Sequence, residues 1–213
     1  VEGYGLTETS PVLTINPLDD TRRAGTIGLP LPDTQLRIGD PQDLSRTQPD
    51  GEAGEILARG PQVFSGYLAD APATAAAFHD GWFRTGDMGV REPDGHIRLV
   101  GRIKEIIITG GFNVYPGEVE EALTSHPDIA QAAVVGTPRS DGSEDVAACV
   151  VLAPGARVDE AALREHCRGL LARHKVPQRF FAMDKLAEDQ LGKLRRRDVR
   201  RDLLEQPVHD ALV

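Results

Sequence analysis

Apolar and polar positions follow two different rhythms along this chain, and the change falls near Ile103. Before it, apolar residues come in short runs broken by Gly and Pro, which predicts strands and turns. GTIGLPLPDTQLRI (25–38) mixes strand formers with breakers, and the polar stretch 40–55 reads as a loop ending in a turn at Pro49-Asp50-Gly51. EILARG (55–60) predicts a strand. DAPATAAAF (70–78) predicts a short helix capped by Asp70, with Pro72 in its first turn. Asp94-Gly95 predicts a hairpin turn ahead of HIRLVG, in which Ile97 and Leu99 alternate with polar neighbours. After Ile103 the runs lengthen. KEIIITGG (104–111) predicts a strand entering a glycine turn, and PGEVEEALTSH (116–126) a helix presenting Val119, Ala122 and Leu123 on one face. IAQAAVVG, EDVAACVVLA and RFFAM predict strands. DEAALREHCRGLLARH (159–174) predicts an amphipathic helix with Ala162, Cys167, Leu170 and Leu171 near one stripe, and LRRRDVRRDLLEQ (194–206) a last helix. The order β-α-β-β-α-β-α defines a compact α+β domain after the boundary.

Composition narrows the function classes. Of 213 residues, 40% are hydrophobic and 27% charged, the balance of a folded soluble domain. A formal charge of −9 removes the overall basic footprint of a nucleic-acid binder. No apolar run approaches the roughly 18 residues that span a membrane. Two cysteines, Cys149 and Cys167, exclude a disulfide framework and a Cys-rich zinc site, and they fit a reducing, cytoplasmic setting as small core-filling residues. The opening VEGYGLTETS has neither an initiator Met nor a signal segment and reads as a cut inside a longer protein.

Four segments carry chemistry. In YGLTETSP (4–11), Tyr4 offers a flat face to a purine, and Gly5 permits close backbone approach. Thr7 and Thr9 offer hydroxyls to phosphate, and Glu8 is a hard ligand for a cation such as Mg²⁺. In WFRTGDMG (82–89), Asp87 beside a glycine turn is suited to accept both hydroxyls of a ribose. In GRIKEIIITGGFNVYPGEVE (101–120), Arg102 can donate a fork to ribose or phosphate, and Gly110-Gly111 lets a ligand approach the backbone. In LGKLRRRDV (191–199), Lys193 precedes a basic run on the last helix. Taken singly, each segment also reads as ordinary structure: a loop with a capping Thr, a turn Asp capping its own backbone, a strand-to-loop turn, a solvated and partly salt-bridged basic face.

Together and in this order the four segments resemble the acyl-adenylate-forming enzymes, which include acyl-CoA synthetases, nonribosomal peptide adenylation domains and firefly luciferase. The resemblance runs from YGLTE to Gly192-Lys193. It implies the β-rich end of a large ATP- and acid-binding domain over residues 1–102, followed by a small mobile α+β lid domain over 103–213. It implies ATP, a carboxylic acid and CoA as substrates and Mg²⁺ as cofactor. By this match Tyr4 packs on adenine with Gly5 beside it, Thr7 approaches phosphate, and Glu8 helps hold Mg²⁺. Asp87 takes the ribose hydroxyls and Arg102 supports the ribose. Lys104 stands at the hinge, Gly110 and Gly111 line the pantetheine tunnel, and Lys193 closes on the α-phosphate and the acyl carboxylate. The family's phosphate loop and acyl-pocket helices are expected upstream of YGLTE, so the 213 residues alone are expected to make no acyl-adenylate at a useful rate.

One segment departs from the family pattern. Before the lysine the family reads Leu-Pro-Arg/Lys-Thr-x-x-Gly-Lys. Here Leu186-Ala187-Glu188-Asp189-Gln190-Leu191-Gly192-Lys193 puts two acids where Pro, a basic residue and Thr are usual. TGGFNVYPGEVE and VFSGYL look like CoA ligases of fatty, malonic or aryl acids, with an adenylation domain of the peptide-synthetase type or a noncatalytic folded module as the alternatives.

Overall fold

The structure, a computed structural model, describes residues 2–190 and 192–205, and its fold class is α+β with more strand than helix. It divides into two compact units, Val1–Lys104 and Glu105–Val213. Among the described residues no helix is long and apolar enough to cross a membrane.

In the first unit, β1 (Gly3–Tyr4), β2 (Thr14–Ile15) and β3 (Leu29–Pro30) form a small antiparallel sheet. A larger antiparallel sheet follows, built from β4 (Gln35–Gly39), β5 (Ala53–Arg59), β6 (Phe78–His79), β7 (Trp82–Arg91) and β8 (Ile97–Arg102). Its long strand β7 pairs with β5 along one edge. The other edge is shared, by β6 at Trp82–Phe83 and by β8 from Asp87 to Arg91. Helix α1 (Ala71–Ala76) begins where expected, with the Asp70 carboxylate accepting the Ala73 N–H at 2.9 Å. The turn at Pro49 closes through Glu52 N–H to the Pro49 carbonyl, and the Asp94-Gly95 turn through Glu92 N–H to the His96 carbonyl.

Two expectations fail in this unit. WFRTGDMG is not a glycine turn but the interior of β7, with Gly86 as a positive-φ kink inside the strand (φ +73°). Leu99 is 43% exposed although Ile97 is buried. The β7–β8 register shifts between Met88 and Gly89, with Met88 opposite Gly101 and Gly89 opposite Leu99. Pairing is in unbroken register from Ile97 to Leu99, so the two share a face of β8, and the extra residue Val100 follows them.

The second unit opens with a hairpin, β9 (Ile107–Thr109) and β10 (Phe112–Val114), whose two-residue tip is Gly110-Gly111. Both glycines have positive φ (+54° and +83°), the requirement of a tight two-residue hairpin turn. The expected single strand from Lys104 is therefore shorter, because Ile103–Glu105 forms a 3₁₀ turn and the glycines reverse the chain. Next come α2 (Pro116–Thr124), β11 (Ile129–Pro138), β12 (Glu144–Leu152), α3 (Glu160–Leu170), β13 (Arg179–Ala182) and α4 (Arg196–Glu205). β12 lies between antiparallel β11 and parallel β13, the latter reached through the α3 crossover.

That sheet is buried on both faces, which is why β11 and β12 read as continuous apolar runs. Val134, Val146, Ala148, Val150 and Phe180 meet Val119 and Leu123 of α2 and Leu163 and Cys167 of α3. Ala133, Val135, Ala147, Cys149 and Phe181 meet Leu186 and Val199 on the opposite face. The stripe expected on α3 is displaced. Its buried positions are Leu163 and Cys167, one turn apart, while Ala162 and Leu170 face solvent. α4 starts at Arg196 rather than Leu194, and Gln206 and Leu191 lie outside the described residues.

Candidate active site

Strand register, not sequence proximity, assembles the site in the first unit. Pairing of β7 with β8 sets Asp87 directly opposite Arg102, and Arg102 Nε lies 3.1 Å from Asp87 Oδ1. From the small sheet, the Tyr4 hydroxyl donates to Asp87 Oδ2 at 2.7 Å. Asp87 is 4% exposed, so its charge is compensated on both oxygens. Each oxygen keeps a further acceptor position, and Asp87 borders a cleft of about 520 Å³. Burial, and then the negative charge of Asp87, push the Tyr4 phenol well above its usual value, so it stays protonated and remains a donor.

The cleft is also bordered by Glu8, Tyr67, Thr85, Arg102 and Lys104. Thr7 and Glu8 lie on a single 3₁₀ turn, Thr7–Thr9. The Glu8 carbonyl accepts the Phe64 N–H at 2.8 Å, which brings the VFSGYL segment alongside. The Tyr67 hydroxyl then donates to Glu8 Oε1 at 3.0 Å, and burial and the Glu8 carboxylate raise the Tyr67 phenol above its usual value. Among the described residues Glu8 makes no ion pair and belongs to no cluster of three metal-binding side chains. One open carboxylate suits Mg²⁺, which is bound through one or two carboxylates while phosphates and waters complete its shell.

Two residues of the first motif do other work. Thr9 is fully buried. Its hydroxyl donates to the Leu6 carbonyl and accepts the Leu6 N–H, both at 2.9 Å, so it closes the turn and is not offered to phosphate. The room left by Gly5 is filled by the chain itself, since a Cβ there would lie 1.8 Å from the Pro11 carbonyl oxygen. Thr7 is exposed. Tyr4 does not border the cleft and reaches the site through its hydroxyl.

Sequence reasoning missed Glu55, Arg84, Thr85 and Tyr67. Glu55 is 2% exposed, accepts from Arg84 Nε and Nη2 at 3.2 and 3.0 Å, and accepts the Gly86 N–H at 3.2 Å. A Glu at the start of an apolar strand reads as a solvated end. Only its cross-strand partners reveal it.

The remaining predicted residues belong to the second unit, apart from Lys104, which is exposed in the 3₁₀ turn at the division between the units. Gly110 and Gly111 form the exposed tip of the β9–β10 hairpin, whose Phe112 stacks on His174 at 4.6 Å. Lys193 is exposed and makes no ion pair among the described residues. Its backbone is bonded to Asp189, one of the two atypical acids. Its N–H donates to Asp189 Oδ1 at 2.9 Å, its carbonyl accepts the Asp189 N–H at 2.9 Å, and Glu188 accepts from Gln131 at 2.9 Å.

The first unit thus brings a buried carboxylate and an open carboxylate to one cleft, and the second unit carries an exposed lysine. Residues 1–68 match the AMP-binding enzyme family and residues 118–193 match the AMP-binding enzyme C-terminal domain, and the chain belongs to this family. It is 40% identical over 200 residues to a long-chain-fatty-acid–CoA ligase of Salmonella typhimurium, covering 94% of this chain and 35% of that protein. It is 44% identical over 202 residues to an indoleacetate–CoA ligase of Aromatoleum aromaticum, covering 94% and 39%. The crystal structure of ATP-bound MatB from Rhodopseudomonas palustris superposes with a TM-score of 0.90 at 38% identity, covering 96% of this chain and 40% of that one. The chain thus spans between a third and two fifths of the length of these relatives.

Proposed function

We propose that these residues serve an AMP-forming acid–CoA ligase. A carboxylate oxygen attacks the α-phosphorus of ATP, pyrophosphate leaves, and the thiol of CoA then attacks the acyl carbon and releases AMP. The observation that carries the reading is Asp87, buried, braced by Tyr4 and Arg102, and facing a cleft shared with Glu8. Asp87 accepts both ribose hydroxyls through its remaining lone pairs, and Arg102 supports the same sugar. By the family resemblance Tyr4 and Gly5 are assigned to the adenine side of the same nucleotide. Thr7 donates to phosphate, and Glu8 would hold Mg²⁺. That ion, when bound, would offset the negative charge of the phosphates. The relatives named above act on fatty and indole acids, so the acid here is assigned only as a carboxylic acid. ATP and CoA as substrates fit a cytoplasmic setting.

Lys193 supplies the remaining charge. Attack of an anion on a polyphosphate builds negative charge on the transferring group, and a positioned ammonium stabilises it where it develops. The Asp189 bonds to Lys193 fix the backbone of that loop and leave the ammonium unpaired among the described residues. Thioester formation needs a thiol at the same carbonyl, and the family resemblance gives the Gly110-Gly111 tip to the pantetheine arm and Lys104 to the pivot between the two steps.

The test is Lys193→Ala in the complete polypeptide. ATP–pyrophosphate exchange is expected to fall about 10²–10³-fold, while CoA thioester formation from supplied acyl-AMP stays near the parent rate. Equal losses in both half-reactions would give Lys193 a structural part instead. Absence of exchange with every acid in the parent protein would leave the noncatalytic reading.

A further inference from the structure

Glu55 is a buried carboxylate that the chemistry above does not use. It stands in a strand whose next three residues, Ile56, Leu57 and Ala58, are fully buried and apolar. A charge in that company carries a desolvation cost, and an apolar side chain would serve the fold alone. Departures of this kind gather where function needs them.

The β5–β7 register shows what the charge does. Glu55 pairs with Met88 and Leu57 with Arg84. Between those pairs β5 supplies only Ile56, whereas β7 supplies Thr85, Gly86 and Asp87. Two surplus residues leave ladder groups without strand partners, and such bulges re-aim a side chain. The freed groups are met locally. Glu55 Oε1 accepts the Gly86 N–H at 3.2 Å, Thr85 Oγ1 accepts the Asp87 N–H at 3.1 Å, and the Thr85 hydroxyl donates to the Ile56 carbonyl at 2.8 Å. Glu55 Oε2 takes the Arg84 guanidinium from the other side. One carboxylate therefore grips residues 84 and 86, on either side of Thr85, and the next residue in the chain is Asp87.

We propose that Glu55 is a positioning residue for Asp87: it locks the Thr85–Asp87 bulge in the shape that turns the Asp87 carboxylate to the ribose diol. The proposal rests on the ribose reading of Asp87. Arg84 is partly exposed, so truncation of Glu55 leaves it access to water, and the bulge then loses its anchor without stranding a buried charge.

The experiment compares ATP with 2′-deoxy-ATP and 3′-deoxy-ATP in pyrophosphate exchange by the complete polypeptide, alongside the melting temperature of each variant. Glu55→Ala is expected to lower kcat/KM for ATP and barely change it for the deoxy analogues, so that the preference for ATP shrinks about ten-fold, the worth of a hydrogen bond to a charged group. Glu55→Gln keeps an acceptor for Gly86 but sets an amide N–H against Arg84, and should fall between Glu55→Ala and the parent. Thr85→Val removes both hydroxyl bonds of the same bulge and should repeat the loss, which keeps the test open if Glu55→Ala does not fold. Asp87→Asn is the reference and should abolish the preference. A lowered melting temperature with the preference intact in the Glu55 and Thr85 variants, while Asp87→Asn loses it, overturns the positioning role alone. Preference retained in Asp87→Asn overturns the ribose reading and the proposal with it.

Discussion

Cys149 on β12 and Cys167 on α3 are fully buried on opposite faces of the sheet in the second unit. Burial pushes the Cys149 thiol up to about 12, and the Cys167 thiol up to about 11 against the opposing pull of Arg164. In an unfolded chain both ionise near about 8.5. Their contribution to stability is therefore complete below that value and drains away as pH rises towards 11 and then 12, because the unfolded state releases protons first. Iodoacetamide at pH 8 should label neither thiol in the native protein and both in denaturant, and the melting temperature should hold to pH 8 and fall beyond it. Labelling of the native protein would contradict this burial. The same scale shows what residue types reveal. Asp87 and Glu8 were legible as candidates because a carboxylate beside glycine or among hydroxyls has few structural duties. Thr9 was misread because its partner, Leu6, is a backbone group that any sequence contains. Glu55 was silent because its partners lie 29 and 31 residues away.

At the scale of elements, hydrophobic rhythm gave the helices and strands of the second unit well. A sheet covered on both sides shows in the sequence as unbroken apolar runs, and β11 and β12 bury alternate residues against α2 and α3 or against Val199. The rhythm failed where strands bulge. β7 hides its kink in TGD and β8 absorbs Val100, and both irregularities border Asp87, the place where the chain gives up regular pairing to aim a side chain. The basic run on α4 is partly salt-bridged, as its composition suggests, and its partners give it an element-level role. Arg196 donates to Glu120 of α2 through Nε and Nη2 at 2.8 and 2.5 Å, and through Nη1 to Glu105 at 2.9 Å. This fork fastens the start of α4 to α2 and to the first residue of the unit. Arg196→Ala leaves the largely buried Glu120 short of a partner and should destabilise the protein by on the order of 1–3 kcal/mol, read as a lowered midpoint in urea. Arg196→Lys keeps the charge without the planar fork and should recover only part of the loss. A midpoint unchanged in Arg196→Ala would reduce the cluster to a solvated surface pair.

At the scale of the whole molecule, the division between the units falls at Lys104-Glu105, two residues after Arg102 and inside a single 3₁₀ turn. The proposed chemistry asks one site to accept the Lys193 ammonium in the first step and the thiol of CoA in the second, and the proposal gives the second unit both the lysine and, at the Gly110-Gly111 tip, the lining of the CoA arm. The loop carries a bond from the Lys193 N–H to Asp189, and the tip closes a paired hairpin. On the proposed reading, the exchange at one carbonyl is assigned to backbone rotation at the junction. Lys104 is exposed there at the border of the cleft, and among the described residues its side chain makes no ion pair. Proline fixes φ near −65° and removes the N–H. Lys104→Pro is expected to hold one of the two arrangements, so that either pyrophosphate exchange or thioester formation collapses while the other half-reaction survives at an unchanged melting temperature. Lys104→Ala leaves φ free and should cost little in either step. Parallel loss of both half-reactions with a lowered melting temperature in Lys104→Pro would make residue 104 an ordinary part of the turn, and the pivot would then have to lie elsewhere between Arg102 and Ile107.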